Sequence, residues 1–96
     1  MEEDRKAVMA QVTGRVQGVC FRAWTLREAQ GLGLTGWVRN EPDGSVSALL
    51  VGPEGAVVAM LGRLWKGPPG ALVRKVEFED VDPKAEATPF RFTIAG

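Results

Sequence analysis

The 96-residue chain contains no histidine and no tyrosine, and it has a single cysteine and a single asparagine. Without histidine, the usual zinc ligand and the usual general base at neutral pH are both missing, so we expect an activity without metal or cofactor. A lone cysteine cannot form an intrachain disulfide. The sequence also lacks an apolar run of the roughly 20 residues that span a bilayer. Its first residues, MEEDRK, are charged rather than apolar, and we therefore expect a cytoplasmic protein with no membrane partner.

Charge is balanced, with 12 basic and 12 acidic side chains. This balance argues against a broad basic surface for nucleic acid or anionic membranes, so neither is an expected partner. A chain of this length suits one domain, and no linker, repeat or low-complexity segment divides it. We expect a single domain over residues 1–96, with residues 1–5 frayed, and a monomer as the default state.

Hydrophobic periodicity predicts the element order β-α-β-β-α-β with a short final strand. The strands are AVMAQVTG, LTGWVRN, SVSALLV, VRKVEFEDV and ATPFRFTIAG, and Phe90, Phe92 and Ile94 alternate in the last of them. The helices are FRAWTLREAQG and GPEGAVVAMLGRLWKG. The second helix carries a stripe expected to be buried: Val57, Val58, Leu61, Leu64 and Trp65. EPDG predicts a hairpin turn in which Gly44 accepts a positive φ. The order predicts an α+β fold, a ferredoxin-like split βαβ sandwich with an antiparallel sheet and two helices on one face.

The stretch GRVQGVCFR connects the first strand to the first helix through two glycines. Such a loop directs several backbone N–H groups into one small space, where they and the helix dipole favour an oxyanion. Arg22 lies in the first helical turn, where a cation is unfavourable unless an anion is bound beside it. Its guanidinium can hold a phosphate through two parallel hydrogen bonds. Taken alone, the stretch is also consistent with a tight loop that bears an exposed arginine.

Asn40 ends the second predicted strand, beside the turn. A period of two places it on the face that the helices cover, but at the rim, where a carboxamide can donate and accept hydrogen bonds at a site. The alternative is that Asn40 only initiates the turn before EPDG.

Three other functions are weaker interpretations of the sequence. GLGLTG matches the dinucleotide-binding pattern in form, but it follows a helix and opens a strand, which is the reverse of what that site needs. Cys20 is a candidate nucleophile, yet Leu26 stands where the loop of a thiol phosphatase places its arginine. RNA-binding modules share this strand order, but the open faces predicted for the first and third strands carry no aromatic residue.

GRVQGVCFR, together with GWVRN and the following DGSV, resembles the acylphosphatase family. The resemblance extends over nearly the whole chain and includes GPEGAV and the closing FRFTI. It implies the same split βαβ fold and the hydrolysis of acyl phosphates to carboxylate and inorganic phosphate. The remaining alternative is a module of this fold that binds an anion without turnover, because acylphosphatase-like domains also occur in larger carbamoyl-processing proteins.

The resemblance also implies a role for each residue of the motif. Arg22 binds the phosphoryl group, which inorganic phosphate or another oxyanion can replace, and Asn40 positions the attacking water. The phosphoryl group is cradled by the loop residues Arg15, Val16, Gln17, Gly18, Val19 and Cys20. Members of the family often have glycine at the position of Cys20.

Overall fold

The computed structural model describes residues 4–83 and 90–96. Its elements follow the predicted order: β1 (Arg5–Arg15), α1 (Phe21–Gly31), β2 (Thr35–Asn40), β3 (Val46–Pro53), α2 (Glu54–Lys66), β4 (Leu72–Val81) and β5 (Phe92–Ile94). Arg5, in the segment expected to fray, is paired with Pro53 of β3. Residues 1–3 of that segment and residues 87–89 of the predicted final strand lie outside the described residues.

The five strands form one sheet in the order β4-β1-β3-β2-β5. β1 pairs antiparallel with β3 and β4, and β2 pairs antiparallel with β3. β5 pairs parallel with β2, so the sheet is mixed and the expectation of a wholly antiparallel one holds for four strands. β2 and β5 both run opposite to β4. After β4 the chain returns to the other edge of the sheet, and β5 therefore lies parallel to its neighbour β2.

Both helices pack on one face of the sheet, as predicted. α1 covers β2 and β5, whereas α2 covers β1, β3 and β4. The buried side chains between the layers include those that alternate along the two central strands, namely Val8, Ala10 and Val12 of β1 and Val46, Ala48 and Leu50 of β3. In residues 4–83 and 90–96, neither helix is long and apolar enough to span a bilayer.

The buried stripe of α2 differs from the predicted one. Val57, Leu61 and Leu64 are buried and Met60 joins them, but Val58 and Trp65 are 55% and 52% exposed. The prediction was wrong for these two residues because α1 packs on the other flank of α2, where Arg63 Nη1 lies 3.0 Å from Glu28 Oε1. Of the three apolar residues that alternate along the predicted final strand, Phe92 is buried while Phe90 and Ile94 are exposed.

The hairpin turn between β2 and β3 has the predicted form. The Glu41 N–H donates to the Ser45 carbonyl at 2.8 Å, and the Gly44 N–H donates to the Glu41 carbonyl at 3.1 Å. Gly44 has φ 92°, which is the left-handed conformation that glycine accepts most easily. The turn thus holds the end of β2, and with it Asn40, in a defined position.

Two glycines of the fold should respond in opposite ways to alanine. Gly62 lies on the exposed side of α2, and a Cβ there meets nothing within 4 Å. We expect Gly62→Ala to stabilise the fold by up to about 1 kcal/mol and to raise Tm by roughly 4–8 °C. Gly36 has φ 131°, and a Cβ would lie 1.9 Å from the Leu49 carbonyl oxygen. We expect Gly36→Ala to cost about 3 kcal/mol or more. Thermal unfolding of both variants measures the contrast, and equal melting temperatures would contradict it.

Candidate active site

The loop between β1 and α1 passes twice through the left-handed region of backbone conformation. Gly18 has φ 77° and Cys20 has φ 61°, and Cys20 is the only non-glycine residue with positive φ in the described chain. Cys20 is also the N-cap of α1, and no side chain caps the helix start. The first N–H groups of α1 therefore have neither an intrahelical partner nor a side-chain acceptor, an arrangement that suits an anion.

The loop forms one wall of a cleft of about 450 Å³. Arg22 and Ala23 of α1, Asn40 of β2 and Ile94 of β5 form the rest of the rim. Six of the eight residues predicted for the site line this cleft: Val16, Gln17, Gly18, Cys20, Arg22 and Asn40. One loop and the ends of three elements thus bring together residues that are far apart in sequence, from Val16 to Ile94.

The other two predicted residues lie elsewhere. Arg15, the last residue of β1, borders a depression with Leu72 and Arg74 on the β4 side of β1. Val19 packs against the hydrophobic core. Neither residue is in the lining of the cleft that contains Arg22 and Asn40.

Arg22 and Asn40 are connected through one main-chain oxygen. Arg22 Nη1 donates to the Gly96 oxygen at 2.5 Å, and the Asn40 N–H donates to the same oxygen at 3.1 Å. The Ala95 N–H donates to the Val38 carbonyl at 2.8 Å, which continues the β5 pairing beyond Ile94. The sequence analysis did not predict this contact. Every residue has a main-chain oxygen, so the acceptor cannot be recognised from the type of residue.

Gln17 connects the loop to the β2–β3 turn. Its Nε2 donates to the Glu41 carbonyl and to the Ser45 carbonyl, each at 2.9 Å. A carboxamide nitrogen carries two N–H donors, so both are used. The contact fixes the loop relative to the turn that follows Asn40, and Gln17 therefore positions the two walls of the cleft relative to each other.

Ser45 is the buried end of this connection. Its N–H and its hydroxyl both donate to Asp43 Oδ1, and its hydroxyl accepts a hydrogen bond from Gln11 Nε2 at 3.1 Å. The side-chain amide of Gln11 thus holds the turn from the open face of the sheet. The Asp-x-Ser spacing in EPDGS is the sequence signal for this turn, since an aspartate side chain bonds the backbone two residues on.

Two hydrogen bonds from Ser45 hold the pKa of Asp43 below its ordinary value of 3.8, and the bond from the hydroxyl has a larger effect than the bond from the N–H. A hydrogen bond from the Arg39 side chain, followed by one from Ser47, likewise lowers the pKa of Glu41 below 4.5. Because both values are lower in the folded protein, these contacts contribute at neutral pH and are lost as the pH falls through the lowered pKa values. Lowering the pH therefore weakens the contacts of Asp43 and Glu41 that hold the turn to which Gln17 donates its hydrogen bonds.

A second depression, of about 360 Å³, lies on the sheet between Gln11, Ser47 and Glu77. Of the described residues that line it, two are glutamates and none is basic, so it offers an anion fewer favourable contacts than the cleft that contains Arg22. Within residues 4–83 and 90–96, no group of three or more histidine, cysteine, aspartate or glutamate side chains is placed to hold a metal ion.

Gly18 offers a direct test of the loop. Gly18 and Gly33 have similar φ values of 77° and 74°, and neither has an atom within 4 Å of an added Cβ. Alanine at either position should cost about 1 kcal/mol of stability through backbone strain alone. We expect Gly18→Ala also to weaken inorganic phosphate binding tenfold or more by calorimetry, whereas Gly33→Ala leaves it unchanged. Equal phosphate affinities in the two variants would contradict an anion site at the loop.

Known proteins resemble this chain along nearly its full length. A sequence model of the acylphosphatase family matches residues 8–94. An acylphosphatase of Rhizobium meliloti (strain 1021) is 57% identical over 93 residues, which cover 97% of this chain and 98% of that protein. An acylphosphatase structure from Coxiella burnetii superposes with a TM-score of 0.89 at 32% identity and covers 96% of this chain and 94% of its own. One from Bacillus subtilis superposes at 0.88 and 33% identity, covering 95% and 99%. This chain therefore belongs to the acylphosphatase family of hydrolases.

Proposed function

We propose that this chain hydrolyses the carboxyl–phosphate bond of acyl phosphates in the cleft between the β1–α1 loop and Asn40. The observation that carries the proposal is the convergence of an uncapped helix start, Arg22 and Asn40 on one cleft. An acyl phosphate is the substrate, and inorganic phosphate is both a product and a ligand for the same loop.

The phosphoryl group is held by the loop and by Arg22. The N–H groups at the start of α1 point toward the anion, and the helix dipole adds to their positive potential. Arg22 has five N–H donors, and its contact with Gly96 uses one of its terminal nitrogens. The remaining donors are available for a phosphoryl oxygen, and the contact with Gly96 keeps the guanidinium at the cleft.

Asn40 orients the attacking water. Its N–H is engaged with Gly96, which fixes the backbone, while its side-chain amide has no hydrogen-bond partner among the described residues. That free carboxamide lies on the rim of the cleft. It can accept from a water proton and donate to a water oxygen, and thereby hold the water in line with the bond that breaks.

The chemistry requires little beyond positioning and charge stabilisation. Water oxygen forms the new bond to phosphorus, and the bond between phosphorus and the acyl oxygen breaks to release a carboxylate. A carboxylate is a good leaving group, so no acid is needed to protonate it, and fixed donors stabilise the charge on the equatorial oxygens. Because the chain has no histidine, we assign the water proton to a phosphoryl oxygen of the substrate.

The rival function is an anion-binding module without turnover. Release of phosphate from benzoyl phosphate separates the two: the proposal expects turnover that persists in EDTA and is inhibited competitively by inorganic phosphate. A folded protein that binds phosphate but releases none from benzoyl phosphate would establish the rival.

Arg22→Lys keeps the charge but should not keep the function. Lysine is a point charge and cannot form two parallel contacts with one phosphate while also reaching Gly96. We expect phosphate affinity and kcat/KM to fall at least tenfold, with a smaller fall in kcat, as measured by calorimetry and steady-state kinetics on benzoyl phosphate. A lysine variant that binds phosphate normally would show that charge alone acts at this position.

Asn40→Ala separates the water-positioning role from the turn role. Because the loop and Arg22 remain, phosphate affinity should be nearly unchanged, whereas kcat should fall by roughly 10²–10³, the scale for removal of one preorganised polar group. Phosphate affinity, kcat and Tm are measured on the same variant. A normal kcat with a lowered Tm would reduce Asn40 to a turn residue, and weak phosphate binding with a normal kcat would assign it to substrate binding.

A further inference from the structure

The cleft has room for more than a phosphoryl group. Its volume of about 450 Å³ lies within the range of roughly 300–1,000 Å³ in which proteins enclose whole small molecules. A phosphoryl group and a water together are much smaller than such a ligand. The acyl group of an acyl phosphate is covalently joined to the phosphoryl group, so the rest of the cleft is where that acyl group can contact the protein.

The polar residues of the cleft already have roles in the proposed function. The loop and Arg22 hold the phosphoryl group, and Asn40 orients the water. The other described residues that line the cleft are apolar, namely Val16, Phe21, Ala23 and Ile94. None of the described lining residues is acidic, so a positively charged acyl group finds no ion-pair partner there. The part of the cleft left for the acyl group is therefore apolar.

Ile94 presents the largest apolar surface in the cleft. Val16 and Phe21 are buried in the core, whereas Ile94 is 44% exposed. Ala23 is half-buried and has only a methyl side chain. Among the large apolar side chains that the described residues expose, Ile94 alone lines this cleft. It is therefore the side chain that an acyl group can cover most.

Strand pairing places Ile94 on the helix side of the sheet. In the parallel ladder of β2 and β5, Ile94 is the partner of Val38, and Phe92 precedes it by two residues. Val38 and Phe92 are both buried in the core under the helices, and residues at these positions point to the same face as Ile94. α1 packs on β5 and begins at Phe21. Ile94 borders the cleft together with Ala23 of its first turn.

Backbone hydrogen bonds hold Ile94 next to the residues assigned to the reaction. The Ala95 N–H donates to β2 at 2.8 Å, and the Gly96 oxygen accepts from the Asn40 N–H at 3.1 Å. Arg22 donates to the same oxygen. Ile94 thus lies two residues from the acceptor that Arg22 and Asn40 share. Its β-branched side chain is stiff at χ1, so little conformational freedom is lost when a ligand packs against it.

We propose that Ile94 is a specificity-determining residue that contacts the acyl group of the substrate and favours apolar acyl groups, aromatic or branched, over small or charged ones. The inference rests on the proposed hydrolysis of acyl phosphates and adds the residue that contacts the acyl end. The physical basis is the removal of apolar surface of both partners from water. The loop and Arg22 bind the phosphoryl group in every acyl phosphate, so Ile94 affects the choice among acyl groups.

The acyl preference, defined as kcat/KM for benzoyl phosphate divided by kcat/KM for acetyl phosphate, measures this contact. One methylene in an enclosed pocket changes such a ratio by roughly 10–200-fold, and each carbon on an open rim should contribute less. We expect Ile94→Ala to lower the acyl preference about fivefold or more, with kcat/KM for acetyl phosphate and competitive inhibition by inorganic phosphate changed less than about twofold. Ile94→Val, which keeps the branch at Cβ, should keep most of the preference.

Ile94→Lys tests the same position by a gain of function. Succinyl phosphate carries a carboxylate on its acyl group. A lysine at the rim should therefore raise kcat/KM for succinyl phosphate relative to acetyl phosphate about twofold or more, the scale of an exposed ion pair. The preference for benzoyl phosphate should fall in the same variant. General damage to the fold would lower all three activities and cannot produce the gain.

The matched control is Val58→Ala. Val58 is also β-branched, is 55% exposed and lies on α2 outside the cleft, so this variant should keep the wild-type acyl preference. Wild-type protein that hydrolyses neither benzoyl nor acetyl phosphate would overturn the proposed function and this inference with it. Turnover with an acyl preference that Ile94→Ala leaves unchanged, or that Val58→Ala lowers equally, would overturn the inference alone. So would an Ile94→Lys variant that gains nothing on succinyl phosphate.

Discussion

Between β1 and α1 the backbone turns twice through the left-handed region, at Gly18 and at Cys20, and the cleft depends on this turn. It brings the first N–H groups of α1 into the cleft and leaves them without a capping side chain. A cysteine held at φ 61° carries strain that a glycine would not. A glycine at this position would adopt the same conformation without that strain.

The rest of the fold holds this loop against its neighbours. Gln17 fixes it to the β2–β3 turn through two carbonyls, and Ser45 and Asp43 hold that turn. On the other side, the Gly96 oxygen joins Arg22 to the Asn40 backbone. The groups to which we assign phosphate binding and water positioning thus belong to separate elements that are connected by hydrogen bonds on both sides of the cleft.

Sequence patterns predicted the parts of this arrangement that depend on local rules. Alternation with a period of two correctly placed Asn40 at the end of β2 on the helix side, and the turn chemistry of EPDG correctly assigned a positive φ to Gly44. What escaped prediction depends on packing between elements. The exposure of Val58 and Trp65 is set by the side on which α1 packs. The parallel pairing of β5 and the Gly96 contact depend on where the chain returns after β4.

The central claim is that phosphate binds to the backbone amides of the loop, beside Arg22 and Asn40. Titration of ¹⁵N-labelled protein with inorganic phosphate, followed by amide chemical shifts, tests it residue by residue. The account predicts saturable shifts that are largest at the amides of residues 18–21, with smaller ones at the Arg22 Nε–H and the Asn40 side-chain amide. Saturable shifts around Gln11, Ser47 and Glu77, with the loop amides unmoved, would contradict it.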